Sequence, residues 1–369
     1  MEATEFDVIV IGAGIAGATA AAALAADRRV ALIEAEEAAG YHTTGRSAAM
    51  WILNYGPPDV RLLTRLSRGF LADPPEGFTE ATLMHRRPVL YLAPAEQRAA
   101  LAAAVAEGEG VREIAPAAAR ALVPALRPGY AAAAAIEEDA FDLDVAALHQ
   151  GFLRALTRRG GVLGLRRRSQ RIARAGATWR VETAAGDTLA APVVVNAAGA
   201  WGDEVATQAG VAPIGLVARR RTAAVVDPAP QAVADWPMTM DIAGTWYMRP
   251  EARTRLMVSP ADATDDIARD VRPEEIDIAL GIDRMQAAMD VPVRRVERSW
   301  AGLRSFAPDG SLVLGWDARA EGFFWSVGQG GYGIQTSPAA GRLVADLVAG
   351  RAPGPAGAVL AAVDPSRFR

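Results

Sequence analysis

The chain opens on Phe6-Asp7-Val8-Ile9-Val10-Ile11, an apolar, β-branched run that does not alternate with polar residues. Such a run predicts a strand buried on both faces. It feeds Gly12-Ala13-Gly14-Ile15-Ala16-Gly17 and then the alanine-dense Ala18 to Ala26, which is strongly helix-forming. Val30-Ala31-Leu32-Ile33-Glu34 predicts a second short strand, completing a βαβ unit within about 30 residues. Prolines punctuate the stretch from Pro57 to Pro94, which reads as short helices and loops. A helix is expected over Ala95 to Glu107. A second, amphipathic one is expected over Asp144 to Arg159, with Val145, Leu148, Phe152, Leu153 and Leu156 on one face. Trp179 to Thr183 and the segment after Gly186-Asp187 predict an antiparallel hairpin. Pro192 to Trp201 (PVVVNAAGAW) predicts another buried strand, ending in small residues. The acidic stretch from Asp265 to Met289 predicts a helix within a mixed region from about 211 to 300. The tail predicts a strand over Phe323 to Val327, a glycine turn over Gly328 to Gly333 and a helix over Ala339 to Gly350. No internal repeat is visible.

Composition then narrows the chemistry. Of 369 residues, 51% are apolar and 22% charged, so the chain can build a large core. A net charge of −4 argues against nucleic acid or an anionic membrane as the main partner. There is no cysteine. That removes disulfides, thiolate metal sites, cysteine nucleophiles and a cysteinyl link to a flavin. There is no lysine either, since all 39 basic residues are arginine. Schiff-base, pyridoxal-phosphate and P-loop chemistry are thereby excluded. The histidines His42, His85 and His149 are not at metal-ligand spacing, and no metal is expected. The opening residues from Met1 carry no basic, apolar leader, and no stretch reaches the ~18–20 apolar residues of a membrane span. A cytoplasmic location is expected, free or peripheral at the membrane.

The G-x-G-x-x-G at Gly12, Gly14 and Gly17 sits between a predicted strand and helix, with Glu34 ending the next strand. This is the context that makes it a dinucleotide fingerprint. Gly12 permits the tight turn, Gly14 lets backbone approach a pyrophosphate, and Gly17 lets the helix pack on the sheet. The helix N-terminus offers N–H groups and a positive dipole end to phosphates. Glu34 suits ribose hydroxyls and disfavours a 2′-phosphate. The motif serves NAD and FAD alike. FAD is favoured by the motif's place near the N-terminus, by the second small-residue strand end at Asn196 to Trp201, and by the lack of a second such motif.

Three further segments carry a family resemblance: Gly40 to Ala49 (GYHTTGRSAA), Ser299 to Phe306 (SWAGLRSF) and Gly328 to Thr336 (GQGGYGIQT). With them the chain resembles the D-amino-acid oxidase superfamily of glutathione-reductase-like flavoproteins, nearest the D-arginine dehydrogenase type, over almost its whole length. The resemblance implies an α/β fold: a Rossmann FAD-binding domain (1–80, 140–210 and 300–369) and a mixed-sheet substrate-binding domain (81–139 and 211–299). It implies noncovalent FAD and the oxidation of a D-amino acid to an imino acid, by hydride transfer from Cα to flavin N5. Water then gives a 2-oxo acid and ammonia. The electron acceptor, whether oxygen, a quinone or a dye, is left open.

By the same resemblance, FAD would lie against Gly12, Gly14, Ile15, Ala16, Gly17 and Glu34. It would pass Thr43, Thr44, Arg46, Ser47, Ala48 and Ala49, with Ala198, Gly199 and Trp201 alongside. The ring would rest against Gly302 and the turn Gly330, Gly331, Tyr332, Gly333, Ile334 and Gln335. Arg304 matches a carboxylate-binding arginine, and Arg221 a second. Tyr55 and Tyr247 match tyrosines that close over the carboxylate, and the Gly331 carbonyl matches the acceptor for the amine. Bidentate arginine is the natural carboxylate clamp. Two departures bear on specificity. The D-arginine type carries a histidine at the Met50 position and a glutamate at the Val89 position, where it meets the guanidinium. An unpaired buried cation costs about 3–5 kcal/mol. Met50, Ile52 and Val89, with Gln335 beside them, therefore predict an apolar pocket and a neutral, hydrophobic D-amino acid. An N-methyl or cyclic imino acid oxidase, or a non-catalytic FAD-binding subunit, would be compatible with the same fold.

Overall fold

The computed structural model describes residues 3–368; Met1, Glu2 and Arg369, and with them the first two residues of the leader reading, lie outside that range. The elements that position the site begin with β1 (Val8–Ile11), α1 (Ile15–Leu24) and β2 (Val30–Ile33). There follow β3 (Met50–Ile52), β4 (Val89–Ala93), β5 (Ala133–Glu137), α2 (Val145–Arg158) and β6 (Val193–Asn196). The second half supplies β7 (Val217–Val226), β8 (Met238–Asp241), β9 (Tyr247–Glu251), β10 (Arg255–Ser259) and β11 (Val296–Phe306). It ends with β12 (Phe323–Val327) and α3 (Gly333–Val348).

A six-stranded sheet runs Val162–Gly164, β2, β1, β6, β12 and Val313–Trp316, parallel except for its last pair. Every residue of β1 and β2 is buried, as the uninterrupted apolar runs require. Helices α1, α2 and α3 cover one face through a shared core that includes Leu24, Leu148, Leu156 and Leu343. The alanines of α1 let it pack closely against α3, where Gly341 lies against Thr19; an added Cβ there would come within 2.9 Å of the Thr19 backbone.

A nine-stranded sheet forms the second layer. It contains, in order, Thr264–Asp266, β7, β10, β9, β8, β4, β5 and Val111–Ile114, with β11 paired along β7. β11 runs unbroken through residue 300, so a domain boundary at that position would cut the strand. The hairpin predicted from Trp179 exists, within a four-stranded sheet that also contains Ser169–Ala175 and Thr4–Glu5.

Two predicted helices begin elsewhere. The acidic segment is an edge strand at Thr264–Asp266, and its helix starts only at Glu275. Pro273 explains the delay, because it disfavours helical backbone at Arg272. The last helix starts six residues earlier than the alanine pattern suggests, at Gly333 rather than Ala339, and passes through Pro338. The bond that Pro338 cannot donate to the Ile334 carbonyl is replaced by the Ser337 hydroxyl, which donates to that oxygen at 2.9 Å. The glycine turn thus ends in a helix N-terminus. Among the described residues no helix is long and apolar enough to cross a membrane.

Candidate active site

One cavity of about 590 Å³ runs between the two layers. At its first end lies the turn between β1 and α1. Gly12 sits there at φ +101°, and a Cβ on it would lie 2.6 Å from the Ala197 carbonyl oxygen. Only glycine fits both constraints. Gly17 lies behind the turn, where a Cβ would fall 1.8 Å from the Gly12 carbonyl oxygen, so α1 rests directly on the loop. The first turn of α1 leaves its N–H groups without intrahelical partners. That of Ile15 is taken by Thr44 Oγ1 at 2.9 Å, which joins the Thr43–Arg46 turn to the helix N-terminus. The Glu34 carboxylate stands at the end of β2 and accepts from Ala13 N–H at 2.8 Å.

The loop is also held from below. His149 on α2 is buried, and its Nε2 donates to the Ala13 carbonyl at 2.9 Å. Its ring packs so near Gly40 that a Cβ there would meet it at 3.0 Å. Burial pushes the His149 imidazole below its ordinary value, so it sits there neutral.

At the other end the cavity meets Arg304. Its Nη1 donates to the Tyr55 hydroxyl at 3.2 Å, and the guanidinium stacks over the Phe306 ring at 5.2 Å. It has no carboxylate partner among the described residues, and its buried Nε has no acceptor. Burial pulls its affinity for the proton below that of a free arginine. A guanidinium with no carboxylate beside it among the described residues can hold an anion. Gly331 lies against it, and a Cβ there would come within 2.9 Å of the Tyr55 hydroxyl and 3.0 Å of Arg304 Nη1.

The three consecutive arginines separate by strand alternation. Arg220 turns away into a buried cluster with Glu274, Asp277 and Asp262. Arg219 pairs with Asp265 in solvent. Arg221 faces the cavity, donating to the carbonyls of Asp262 at 2.7 Å and Ala261 at 3.0 Å, with its guanidinium 5.8 Å from the Tyr247 ring centre.

Most of the residues singled out from sequence line this cavity, from Gly14 and Glu34 through Thr43 to Met50, Ile52, Trp201 and Gly302 to Ile334. Gly17, Val89 and Tyr332 do not. Val89 is fully buried in the layer behind, and Tyr332 packs against Tyr55 and Phe306. Gln335 contributes surface, but its carboxamide is not free to meet a ligand. Oε1 accepts from Ile52 N–H at 3.2 Å, and Nε2 donates to Thr64 Oγ1 at 2.8 Å and to the Ile52 carbonyl at 3.3 Å.

Residues 7–347 match the family model described as FAD dependent oxidoreductase. The chain belongs to that family. A D-amino acid dehydrogenase of Methylobacterium radiotolerans is 44% identical over 54 residues, which is 15% of this chain and 13% of that protein. FAD-dependent oxidoreductase domain-containing protein 1 of Xenopus laevis is 27% identical over 172 residues, 42% of this chain and 34% of the relative. The chain thus spans about a third of that relative's length. The solved structure of L-proline dehydrogenase from P. horikoshii superposes with a TM-score of 0.84 at 20% identity, covering 100% of this chain and 98% of the other. At that identity the likeness shows the fold, an FAD-binding Rossmann-like layer with a substrate layer.

FAD, the cofactor of the family, suits the residues present. A continuous trough leads from a tight glycine turn and a helix N-terminus to a second helix N-terminus at Gly333, and it is lined by Gly12, Gly14, Gly302, Gly330 and Gly331, which bring backbone to its surface.

Sequence reasoning overlooked part of the wall. Tyr91, Met238, Met240 and Ile242 line the cavity, and Glu137 stands behind Tyr91. Tyr91 was within reach, because a strand containing Val89 places residue 91 on the same face. Glu137 was not, since nothing distinguishes it from Glu138 and Asp139 beside it.

Proposed function

We infer that the chain is an FAD-dependent D-amino-acid dehydrogenase or oxidase acting on a neutral, largely apolar substrate. The observation that carries this is the half-buried Arg304 guanidinium, with its Nε buried and unpartnered and no carboxylate beside it among the described residues, at the end of the dinucleotide trough. In this reading Arg304 and Arg221 clamp the substrate carboxylate. The Tyr55 hydroxyl, which accepts from Arg304, turns its own proton to the same carboxylate, and Tyr247 closes the other side. The Gly331 carbonyl accepts from the amine and so fixes which hydrogen of Cα faces the trough. When bound, FAD supplies the two-electron oxidation that removes this hydrogen as hydride. The amine loses a proton as the C=N bond forms, and Tyr247 or a water would take it.

Support for an apolar side-chain pocket comes from Met50, Ile52, Met238 and Met240, which line the cavity near these residues. The match to a D-amino acid dehydrogenase supports the D-configuration. A substrate panel tests both points: D- and L-amino acids and cyclic imino acids, with a dye acceptor, with and without oxygen. The expected result is highest kcat/KM with a neutral D-amino acid. A best substrate of D-arginine would refute the pocket, and turnover confined to L-amino or imino acids would refute the configuration.

A further inference from the structure

Glu137 ends β5 on the face of the nine-stranded sheet that looks toward the cavity. It is 1% exposed, yet no cation pairs with it among the described residues. Its carboxyl accepts from the Tyr91 hydroxyl at Oε2, 2.8 Å, and from Asn54 N–H at Oε1, 3.3 Å. Asn54 adjoins Tyr55, so the same turn carries the partner of Arg304 and a ligand of Glu137.

The register explains the placement. Glu137 lies opposite Val89, and Tyr91 is two residues further along that strand on the same face. Met238 lies beside Val89 and Met240 beside Tyr91 on the next strand. Tyr91, Met238 and Met240 form cavity wall, while Val89 and Glu137 form the layer behind it. On these two strands the wall is apolar at Met238 and Met240 and polar at Tyr91.

That oxygen has a fixed polarity. Its proton is directed at Glu137, no donor among the described residues takes its lone pairs, and donation to a buried carboxyl strengthens it as an acceptor. Burial raises both groups, Tyr91 well above its ordinary value with Glu137 adding to the effect, so the phenol keeps its proton at neutral pH. Arg61 also lines the cavity, with its Nε engaged by the Gly56 carbonyl, and its charge opposes a second cation nearby. The preferred visitor is a neutral N–H or O–H.

We propose that Tyr91, oriented by Glu137, is a specificity-determining residue that selects D-amino acids whose apolar side chain ends in a neutral hydrogen-bond donor, such as a phenol or an indole N–H. This rests on the D-amino-acid reading above and names the substrate class within it.

The matched pair D-tyrosine and D-phenylalanine, differing by one hydroxyl, tests it on the holoenzyme. One neutral hydrogen bond predicts a preference for D-tyrosine of about 5–10-fold in kcat/KM. The preference should lie in KM, because the contact is remote from Cα. In Tyr91→Phe it should fall to about one, and Glu137→Gln, which leaves the phenol less firmly oriented, should lie between. A purely structural role would slow both substrates alike and leave the ratio unmoved. Equal rates or a preference for D-phenylalanine in the natural protein, or an unchanged ratio in Tyr91→Phe, overturns the assignment. The natural protein's own ratio decides the matter if a variant does not fold. Flavin bleaching by both substrates with equal kcat/KM, measured at limiting substrate, defeats this proposal alone, whereas no bleaching by any D-amino acid defeats the D-amino-acid reading and this proposal with it.

Discussion

Arg304 and Tyr55, 249 residues apart in the chain, meet at 3.2 Å through Nη1 and the phenol oxygen, and among the described residues that is the one side-chain hydrogen bond of the guanidinium. Arg304→Ala should therefore lower kcat/KM by about 2–5 kcal/mol, the cost of truncating one side of a buried charged pair. The visible flavin spectrum should stay intact. Stopped-flow reduction and an absorbance scan of the purified variant check the two halves. Loss of the flavin along with the activity would mean that the arginine serves the fold.

Gly17→Ala should fail at the level of the cofactor. The new methyl would fall 1.8 Å from the Gly12 carbonyl oxygen, and the helix must lift off the loop to admit it. Overpacking of this kind costs about 1–3 kcal/mol. The expected product is a protein with lower Tm and a reduced ratio of visible to ultraviolet absorbance. A yellow protein with unchanged Tm would contradict the close contact.

His149 gives the stability a pH dependence of definite sign. Burial lowers its proton affinity in the folded chain, whereas the unfolded chain binds a proton near pH 6.5. The unfolded state thus holds more protons below that pH. The contribution is intact above about pH 6.5 and is lost as pH falls, at up to about 1.4 kcal/mol per pH unit. Tm of the natural protein should drop between pH 7 and 5 more steeply than that of His149→Gln. Parallel Tm curves would show that the imidazole is not held neutral.

Val89→Glu should not create a D-arginine enzyme. The site is fully buried and lies directly opposite Glu137 across the strand pair. Two carboxyls would face each other with no cation between them, which destabilises by about 3–5 kcal/mol. Thermal denaturation should show the loss, and D-arginine turnover should remain at background. A stable variant that oxidises D-arginine would place the substrate's end group beside residue 89 after all.

The legible part of this molecule is the part written in local sequence. The uninterrupted apolar runs of β1, β2 and β6 and the glycine spacing between them gave the dinucleotide unit almost residue by residue. The boundaries that failed were at Pro273 and Pro338. One proline delays a helix, while the other is tolerated because Ser337 supplies the missing bond, and only the three-dimensional contact distinguishes them. The triplet Arg219 to Arg221 could not be resolved until strand register assigned the faces. Glu137 stayed hidden because its burial depends on a partner strand, where Val89 lies opposite it 48 residues earlier.

The Gln335 carboxamide has a larger consequence than any single contact it makes. By clasping the N–H and the carbonyl of Ile52 and the Thr64 hydroxyl from the first turn of α3, it ties β3 to that helix. With flavin and substrate bound as proposed, the seats of oxidant and reductant would shift together, and new specificities would be carved from the opposite wall.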